Sequence, residues 1–170
     1  MSLRILGAVL VIAGCGGFGF KLASSYIREE KTLRLLISTL DYMECELQYH
    51  LTPLPELCRQ AAAESTGVIQ KLFLLLTIEL EDQISPNVER CMSAVLYKTA
   101  DIPPLTRNAM HLLGRSLGRF DIEGQIKGLN AVRLECRRNL DTLNQNKDIR
   151  LRSYQTLGLC AGAAIVILFI

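Results

Sequence analysis

The chain has 170 residues, a formal net charge of +2 and a mean hydropathy of +0.24, with hydrophobic residues at 49% of positions. This length predicts one domain, and the small net charge without interleaved aromatic and basic residues argues against nucleic-acid binding. The six cysteines contain no C-x-x-C pair. Cys15 and Cys160 lie in apolar runs, and we predict that the other four are free thiols in a reducing compartment, with neither a disulfide framework nor a structural zinc site.

Two runs without Asp, Glu, Lys or Arg lie near the ends of the chain, over residues 5–20 and 153–170. As a helix, the second run would extend roughly 27 Å, close to the hydrocarbon thickness of a bilayer, about 30 Å. The first run reaches a comparable length if Lys21 extends its charged end toward the headgroups. We therefore predict an N-terminal transmembrane helix over residues 1–23 and a C-terminal one over residues 153–170.

The polar segment between these runs has basic residues next to each of them. The positive-inside rule therefore predicts that the middle of the chain lies in the cytoplasm and that both termini point outward. On this topology, Cys58 or Cys91 should react with a membrane-impermeant thiol reagent only after cell lysis.

The first apolar run contains the segment VIAGCGGFGFK, residues 11–21, which permits two other interpretations. Gly14, Gly16 and Gly19 spell the G-x-G-x-x-G of a dinucleotide-binding turn, but no strand pattern follows, and the nearest acids come about ten rather than about twenty positions later. The residues before Cys15 have the form of a lipoprotein cleavage box, which would make the chain a lipid-anchored, extracytoplasmic helical binding module. Because the apolar run continues past Cys15, where a polar tether would be usual, we favour the membrane helix and keep the lipoprotein as the alternative.

The segment between the apolar ends has helical periodicity interrupted by proline, glycine and serine turns. Thr52 is predicted to cap the second helix with Pro53 at its first position. Gly118 is predicted to stop the fifth helix, and Asp121 to cap the sixth. The predicted helices cover residues 21–50, 53 to near 67, 68–83, 87–99, 105–118 and 122–152.

Short connections between consecutive helices favour antiparallel neighbours, and an even number of helices returns the chain to the side where it began. We therefore predict an all-α fold, in which a six-helix antiparallel bundle over residues 24–152 lies between an N-terminal and a C-terminal transmembrane helix. Basic side chains near the two spans are predicted to face anionic headgroups. These membrane-surface residues are Lys21, Arg28, Lys31, Arg34, Arg137, Arg138, Arg150 and Arg152.

The sequence contains no set of side chains that predicts catalysis. Glu44 and Glu46 are two positions apart, which separates them by roughly 200° around a helix and prevents a shared acid–base site. Glu46 and His50 have a spacing that suits metal ligands, but no further histidine is nearby. The chain also lacks a phosphate-binding loop. We therefore predict that the protein is not an enzyme and needs neither a metal nor a cofactor.

Two segments resemble the stage III sporulation protein AB family of endospore-forming bacteria, LDYMECELQYHLTPLPEL at 40–57 and LLGRSLGRFDIEGQIKGL at 112–129. The first is similar to the pattern E-x-E-I-x-Y-x-x-T-P-L, with Leu47 in place of isoleucine, and the second to L-G-x-x-D-x-x-x-Q. The resemblance covers nearly the whole chain. It implies a component of the channel between mother cell and engulfed forespore, whose cytosolic bundle is similar to the inner-membrane platforms of type II secretion and type IV pilus machines.

The resemblance also implies partners, namely the secretion-type ATPase and the channel proteins of the same sporulation system, in an oligomeric complex at the mother-cell membrane. If the first and sixth helices pair, both family-like segments lie at the end of the bundle farthest from the membrane, where we predict the partner-binding site. Glu44 and Glu46 are expected to be exposed there, so that replacing both by lysine would abolish binding without unfolding the chain. The predicted partner-binding residues are Glu44, Glu46, Tyr49, Thr52, Pro53, Gly118, Asp121 and Gln125.

Overall fold

The computed structural model describes the backbone of residues 2–82, 87–118 and 121–169, and the side chains of residues 24–82, 87–118 and 121–145. Its secondary structure, in the part described, is entirely α-helical, which confirms the all-α prediction and its six helices. The helices are α1 (Ser2–Tyr49), α2 (Leu54–Ala63), α3 (Gly67–Glu81), α4 (Val88–Lys98), α5 (Pro104–Ser116) and α6 (Ile122–Phe169).

The chain divides into two compact units, Met1–Arg28 with Thr142–Ile170 and Glu29–Asp141. The predicted transmembrane helices over 1–23 and 153–170 fall in the first unit, and their side chains lie outside the described residues. In the part that is described, no helix is both long and apolar enough to cross a membrane. The membrane assignment of the two ends stays a prediction.

The Glu29–Asp141 unit has an apolar core to which α1 contributes a stripe of residues spaced three and four apart. Such spacing places the side chains on one helix face. Burying each leucine side chain contributes roughly 1.5–3 kcal/mol before the cost of ordering the chain. The other helices of the unit complete this core, with α2 packed on α3, α3 on α4 and α4 on α5. The buried residues of α1 are Leu33, Leu36, Leu40, Met43 and Leu47.

Within this unit, α1 and α6 pair in antiparallel orientation. Glu44 of α1 accepts a hydrogen bond from Asn130 of α6 at 2.8 Å. Earlier in α1, Arg34 lines a groove together with Arg137, which lies later in α6. Residues late in α1 thus lie beside residues early in α6, and residues earlier in α1 lie beside residues later in α6. This is the antiparallel pairing that we predict for the first and last helices of the bundle.

Glu29 fixes the opposite end of the unit. The N-cap residue of α5 is Pro103, which makes no side-chain capping bond. The buried Glu29 carboxylate instead accepts a hydrogen bond from the backbone N–H of Leu105 at 2.7 Å. A negative charge is favourable at the positive end of the helix dipole. This contact anchors the start of α5 beside α1.

The start of α6 and the end of α5 follow local rules. Asp121 caps α6, because its carboxylate accepts a hydrogen bond from the Gly124 N–H at 3.0 Å. The last residue of α5 is Ser116, and Gly118 follows with a φ of +73°. Glycine adopts this left-handed conformation without the penalty of a Cβ atom, so it terminates the helix. The predicted cap and the predicted stop are both confirmed.

The predicted cap at Thr52 is wrong. Pro53 occupies the N-cap position of α2 and makes no side-chain capping bond. The Thr52 hydroxyl instead donates to the Glu46 carboxylate, with an Oγ1–Oε2 distance of 3.2 Å. A charged acceptor makes a stronger hydrogen bond than a neutral one, so the hydroxyl is directed toward α1 and away from α2.

Candidate functional site

Both family-like segments meet at one end of the Glu29–Asp141 unit. A Cβ atom placed on Gly118 would lie 2.6 Å from Cγ2 of Val88 and 3.4 Å from Cδ2 of Leu54. The turn after α5 therefore approaches the first residue of α2 closely. We call residues 42–56, 118 and 121–125 the motif end.

Glu46 organises the turn that leaves α1. Its carboxylate accepts the Thr52 hydroxyl and also lies 3.3 Å from Nδ1 of His50. The Glu46 side chain is only 17% exposed, so water competes little for these contacts. His50 and Thr52 flank Leu51, and one carboxylate thus holds both neighbours of that residue.

Leu51 has a φ of +52°, and no other non-glycine residue in the described backbone has a positive φ. This conformation costs an L-residue about 1–2 kcal/mol. The leucine side chain is nevertheless 63% exposed, and that of Tyr49 is 75% exposed. Packing among the described residues therefore does not account for a leucine at this position.

Tyr42 connects α1 to α2. Burial, followed by the nearby Glu46 carboxylate, raises the pKa of Tyr42 above its ordinary value of 10.0. The protonated phenol lies 3.5 Å from the Gln60 carbonyl oxygen Oε1, and Nε2 of Gln60 donates to Glu56 at 3.4 Å. A chain of polar contacts thus runs from the turn to the outer face of α2.

Glu44 faces α6 and does not join Glu46. Its carboxylate oxygens accept hydrogen bonds from Asn130 and Arg133, each at 2.8 Å. Arg133 also donates to Asp41, and this bond, with the two nearby carboxylates, raises the Arg133 pKa. The prediction that Glu44 and Glu46 share no site is confirmed. The prediction that they are exposed is wrong, since both are half-buried, Glu44 against α6 and Glu46 against the turn that follows α1.

The family model described as Stage III sporulation protein AB matches residues 4–170. The chain belongs to this family. It is 25% identical over 169 residues to Stage III sporulation protein AB of Bacillus subtilis (strain 168), a comparison that covers 98% of each protein. No solved structure matches the chain. The family resemblance carried by the two segments is confirmed, whereas the likeness to secretion platforms stays a prediction.

The remaining predicted partner-binding residues of this stage III sporulation protein AB family member belong to the motif end. The exposed ones are Tyr49, Pro53, Gly118 and Asp121, and the half-buried ones are Thr52 and Gln125. Sequence reasoning missed Leu51 because it occupies a variable position of the pattern, and only its backbone conformation distinguishes it. The structure thus adds one residue to those that the family pattern points to.

The predicted membrane-surface residues are described in part. Lys21, Arg150 and Arg152 lie outside the described side chains, whereas Arg28, Lys31, Arg34, Arg137 and Arg138 are exposed. Arg34 pairs with Glu30 at 3.0 Å. Arg34 also lines, with Arg137, an open groove of about 420 Å³ between α1 and α6. Basic residues of both helices thus meet within the Glu29–Asp141 unit, and their contact with lipid stays a prediction.

The buried cysteines are not activated nucleophiles. Burial raises the pKa of Cys58 to about 12 and that of Cys136 to about 11, and it also raises the pKa of Cys91. Because the thiolate is the reactive form, these thiols are inert at neutral pH. The stability tied to protonated Cys58 is complete below the ordinary pKa of 9.0 and is lost as the pH rises through about 12.

Within the described part of the chain, no group of three His, Cys, Asp or Glu could hold a metal ion.

Proposed function

We propose that the chain is a non-enzymatic assembly platform in the mother-cell membrane, and that its motif end binds the secretion-type ATPase of the same sporulation system. The observation that carries this proposal is the close approach of Gly118 to Leu54, which brings the two family segments together at an end of the unit that exposes Tyr49 and Leu51. The raised pKa values of the buried Cys58 and Cys136 argue against a thiolate nucleophile at either position. On this proposal, the channel proteins of the system are further partners within an oligomeric complex.

Charge at the motif end favours a basic partner surface. The motif end contains five carboxylates and no lysine or arginine. Glu44 pairs with Arg133 at 2.8 Å, Glu56 with Arg59, and Glu123 with Lys127 at 2.7 Å. The Glu123 side chain is 75% exposed and forms part of the rim. An acidic rim accelerates encounter with a basic surface, and salt weakens this effect. We therefore expect the ATPase to present basic side chains at this contact.

Reversal of a rim charge tests the proposed contact. The full chain is reconstituted into vesicles of phosphatidylglycerol and phosphatidylethanolamine, mixed with the purified ATPase and floated on a density gradient. We expect the wild-type chain to carry the ATPase to the top fraction. Glu123→Lys should carry several-fold less, because a reversed rim charge slows association.

Asp141→Lys is the matched control, since Asp141 is also an exposed carboxylate of α6 but lies outside the motif end. We expect this variant to bind the ATPase as the wild type does. Equal binding by the wild type and both variants would remove the motif end as the contact. Failure of the wild type to carry the ATPase would remove the ATPase as the partner.

Cys45 is the appropriate probe of membrane orientation. The expectation that Cys58 or Cys91 would react after lysis is wrong for the folded chain, because both thiols are buried, whereas Cys45 is exposed. In intact protoplasts, wild type and Cys45→Ser should react equally with a membrane-impermeant maleimide. After lysis, Cys45→Ser should show one labelled thiol fewer than the wild type.

Labelling of Cys45 before lysis would place the Glu29–Asp141 unit outside the cell. That result would favour the second candidate function, a lipid-anchored helical binding module cleaved at Cys15. Cys15→Ser separates these functions further, because it leaves a membrane helix intact and removes the lipid attachment of a lipoprotein.

A further inference from the structure

We propose that the turn formed by residues 50–52 is a preformed anchor, in which Leu51, assisted by Tyr49, inserts into an apolar pocket with a basic rim on the ATPase. This inference rests on the proposed function and assigns the contact to particular side chains. It is based on two observations at Leu51, namely that its backbone is left-handed and that its side chain is exposed.

The conformation of the turn does not explain the choice of side chain. A chain that must turn sharply between α1 and Pro53 would adopt a φ of +52° most readily with glycine, and asparagine also tolerates this region. Leucine is disfavoured in this conformation and gains little by burial, since most of its surface is in contact with solvent. Strained residues that persist in a structure point to function. What remains unexplained at Leu51 is therefore its apolar side chain.

The turn is held in place before any partner arrives. Glu46 accepts the hydroxyl of Thr52 and lies 3.3 Å from Nδ1 of His50, so the residues on both sides of Leu51 are restrained by α1. A binding element that is already ordered loses less conformational freedom on association. The contacts of Glu46 thus keep Leu51 in a binding-competent position.

The surroundings of Leu51 define the kind of pocket that it fits. Tyr49 lies two positions away and is also exposed, and tyrosine is enriched among the residues that dominate binding energies. The Glu46 carboxylate lies against both neighbours of Leu51, and the exposed Asp121 and Glu123 belong to the same motif end. An apolar centre within a charged rim is the usual organisation of a protein interface. Charge complementarity then requires basic side chains around the pocket on the partner.

Other exposed apolar side chains of the Glu29–Asp141 unit lack this combination. Leu74 and Ile78 of α3 and Tyr97 of α4 lie within regular helices, where their backbone conformation is relaxed. Single exposed apolar residues of this kind are normal on protein surfaces. Leu74 therefore serves as a matched control for Leu51.

The test is the affinity of vesicle-reconstituted full chain for the purified ATPase, measured by biolayer interferometry. Leu51→Asn removes the apolar side chain and keeps a residue that accepts the left-handed backbone. We expect its affinity to fall at least about tenfold, as for a residue at the centre of an interface. Leu74→Asn makes the same chemical change outside the motif end and should leave the affinity within about twofold of wild type.

Thermal unfolding distinguishes a binding role from a structural one. Leu51→Asn and Leu51→Gly should unfold at the wild-type temperature or slightly above it, because both relieve backbone strain. A lower unfolding temperature for both variants would show that the side chain stabilises the fold, and would overturn the anchor.

The binding outcomes separate this inference from the proposed function. If Leu51→Asn binds the ATPase as tightly as the wild type, the anchor is excluded and the proposed function stands. If the wild-type chain itself does not bind the ATPase, the proposed partner and the anchor both fail.

Discussion

Replacement of Gly118 by alanine should lower the free energy of unfolding by roughly 2–5 kcal/mol. The backbone contributes about 1–2 kcal/mol of this loss, because an L-residue at a φ of +73° is strained. The added Cβ atom contributes the rest, since it would lie 2.6 Å from Cγ2 of Val88, and overpacking of this kind typically costs about 1–3 kcal/mol. Urea denaturation of the detergent-solubilised full chain, followed by circular dichroism, measures the loss.

Gly67→Ala separates the two contributions. Gly67 has a φ of +64°, but a Cβ atom there would meet nothing within 4 Å. Its replacement should therefore cost about 1–2 kcal/mol, the backbone strain alone. If both variants lose the same stability, the turn after α5 moves away from Val88, and the two family segments are not held together by close packing at Gly118.

Sequence periodicity and turn chemistry predict most of the fold. The buried stripe of α1, the stop at Gly118 and the cap at Asp121 depend on residues within a few positions of one another. Local rules of this kind apply wherever neighbouring residues supply the decisive contact. The convergence of the two family segments also follows from the predicted pairing of the first and last helices.

The errors arise where a polar side chain has partners from different parts of the chain. Thr52 suits a helix cap, but the Glu46 carboxylate six positions earlier is the stronger acceptor. Glu29 caps α5 from 76 residues away, which no local pattern indicates. The left-handed backbone of Leu51 is equally hidden, because glycine or asparagine is the usual sign of that conformation. The family pattern therefore locates the candidate site, whereas the geometry of the site depends on contacts that no local pattern indicates.

Glu44→Lys should destabilise the chain by about 2–3 kcal/mol, because it removes one of the two carboxylates that pair with the partly buried Arg133 and leaves only Asp41. The Glu44 side chain is 18% exposed and that of Arg133 is 25% exposed, so the interaction is only partly screened by solvent. The substitution also deprives Asn130 of its acceptor and places a second positive charge beside Arg133. A fall in the unfolding temperature of roughly 4–12 °C should accompany this loss.

The exposed Glu123→Lys variant is the control for this loss, and its stability should change by no more than about 0.5 kcal/mol. The reciprocal double variant Glu44→Lys with Arg133→Glu should recover part of the stability, because it restores opposite charges between α1 and α6. If Glu44→Lys alone unfolds like the wild type, the contacts with Asn130 and Arg133 contribute little. Because Glu44→Lys is expected to be unstable, a sporulation defect in this variant would not identify a binding role for Glu44. Disruption of the α1–α6 pair would be sufficient to cause the defect. Glu123 and Leu51, which the fold does not need, are therefore the positions at which a binding defect can be measured without a folding defect.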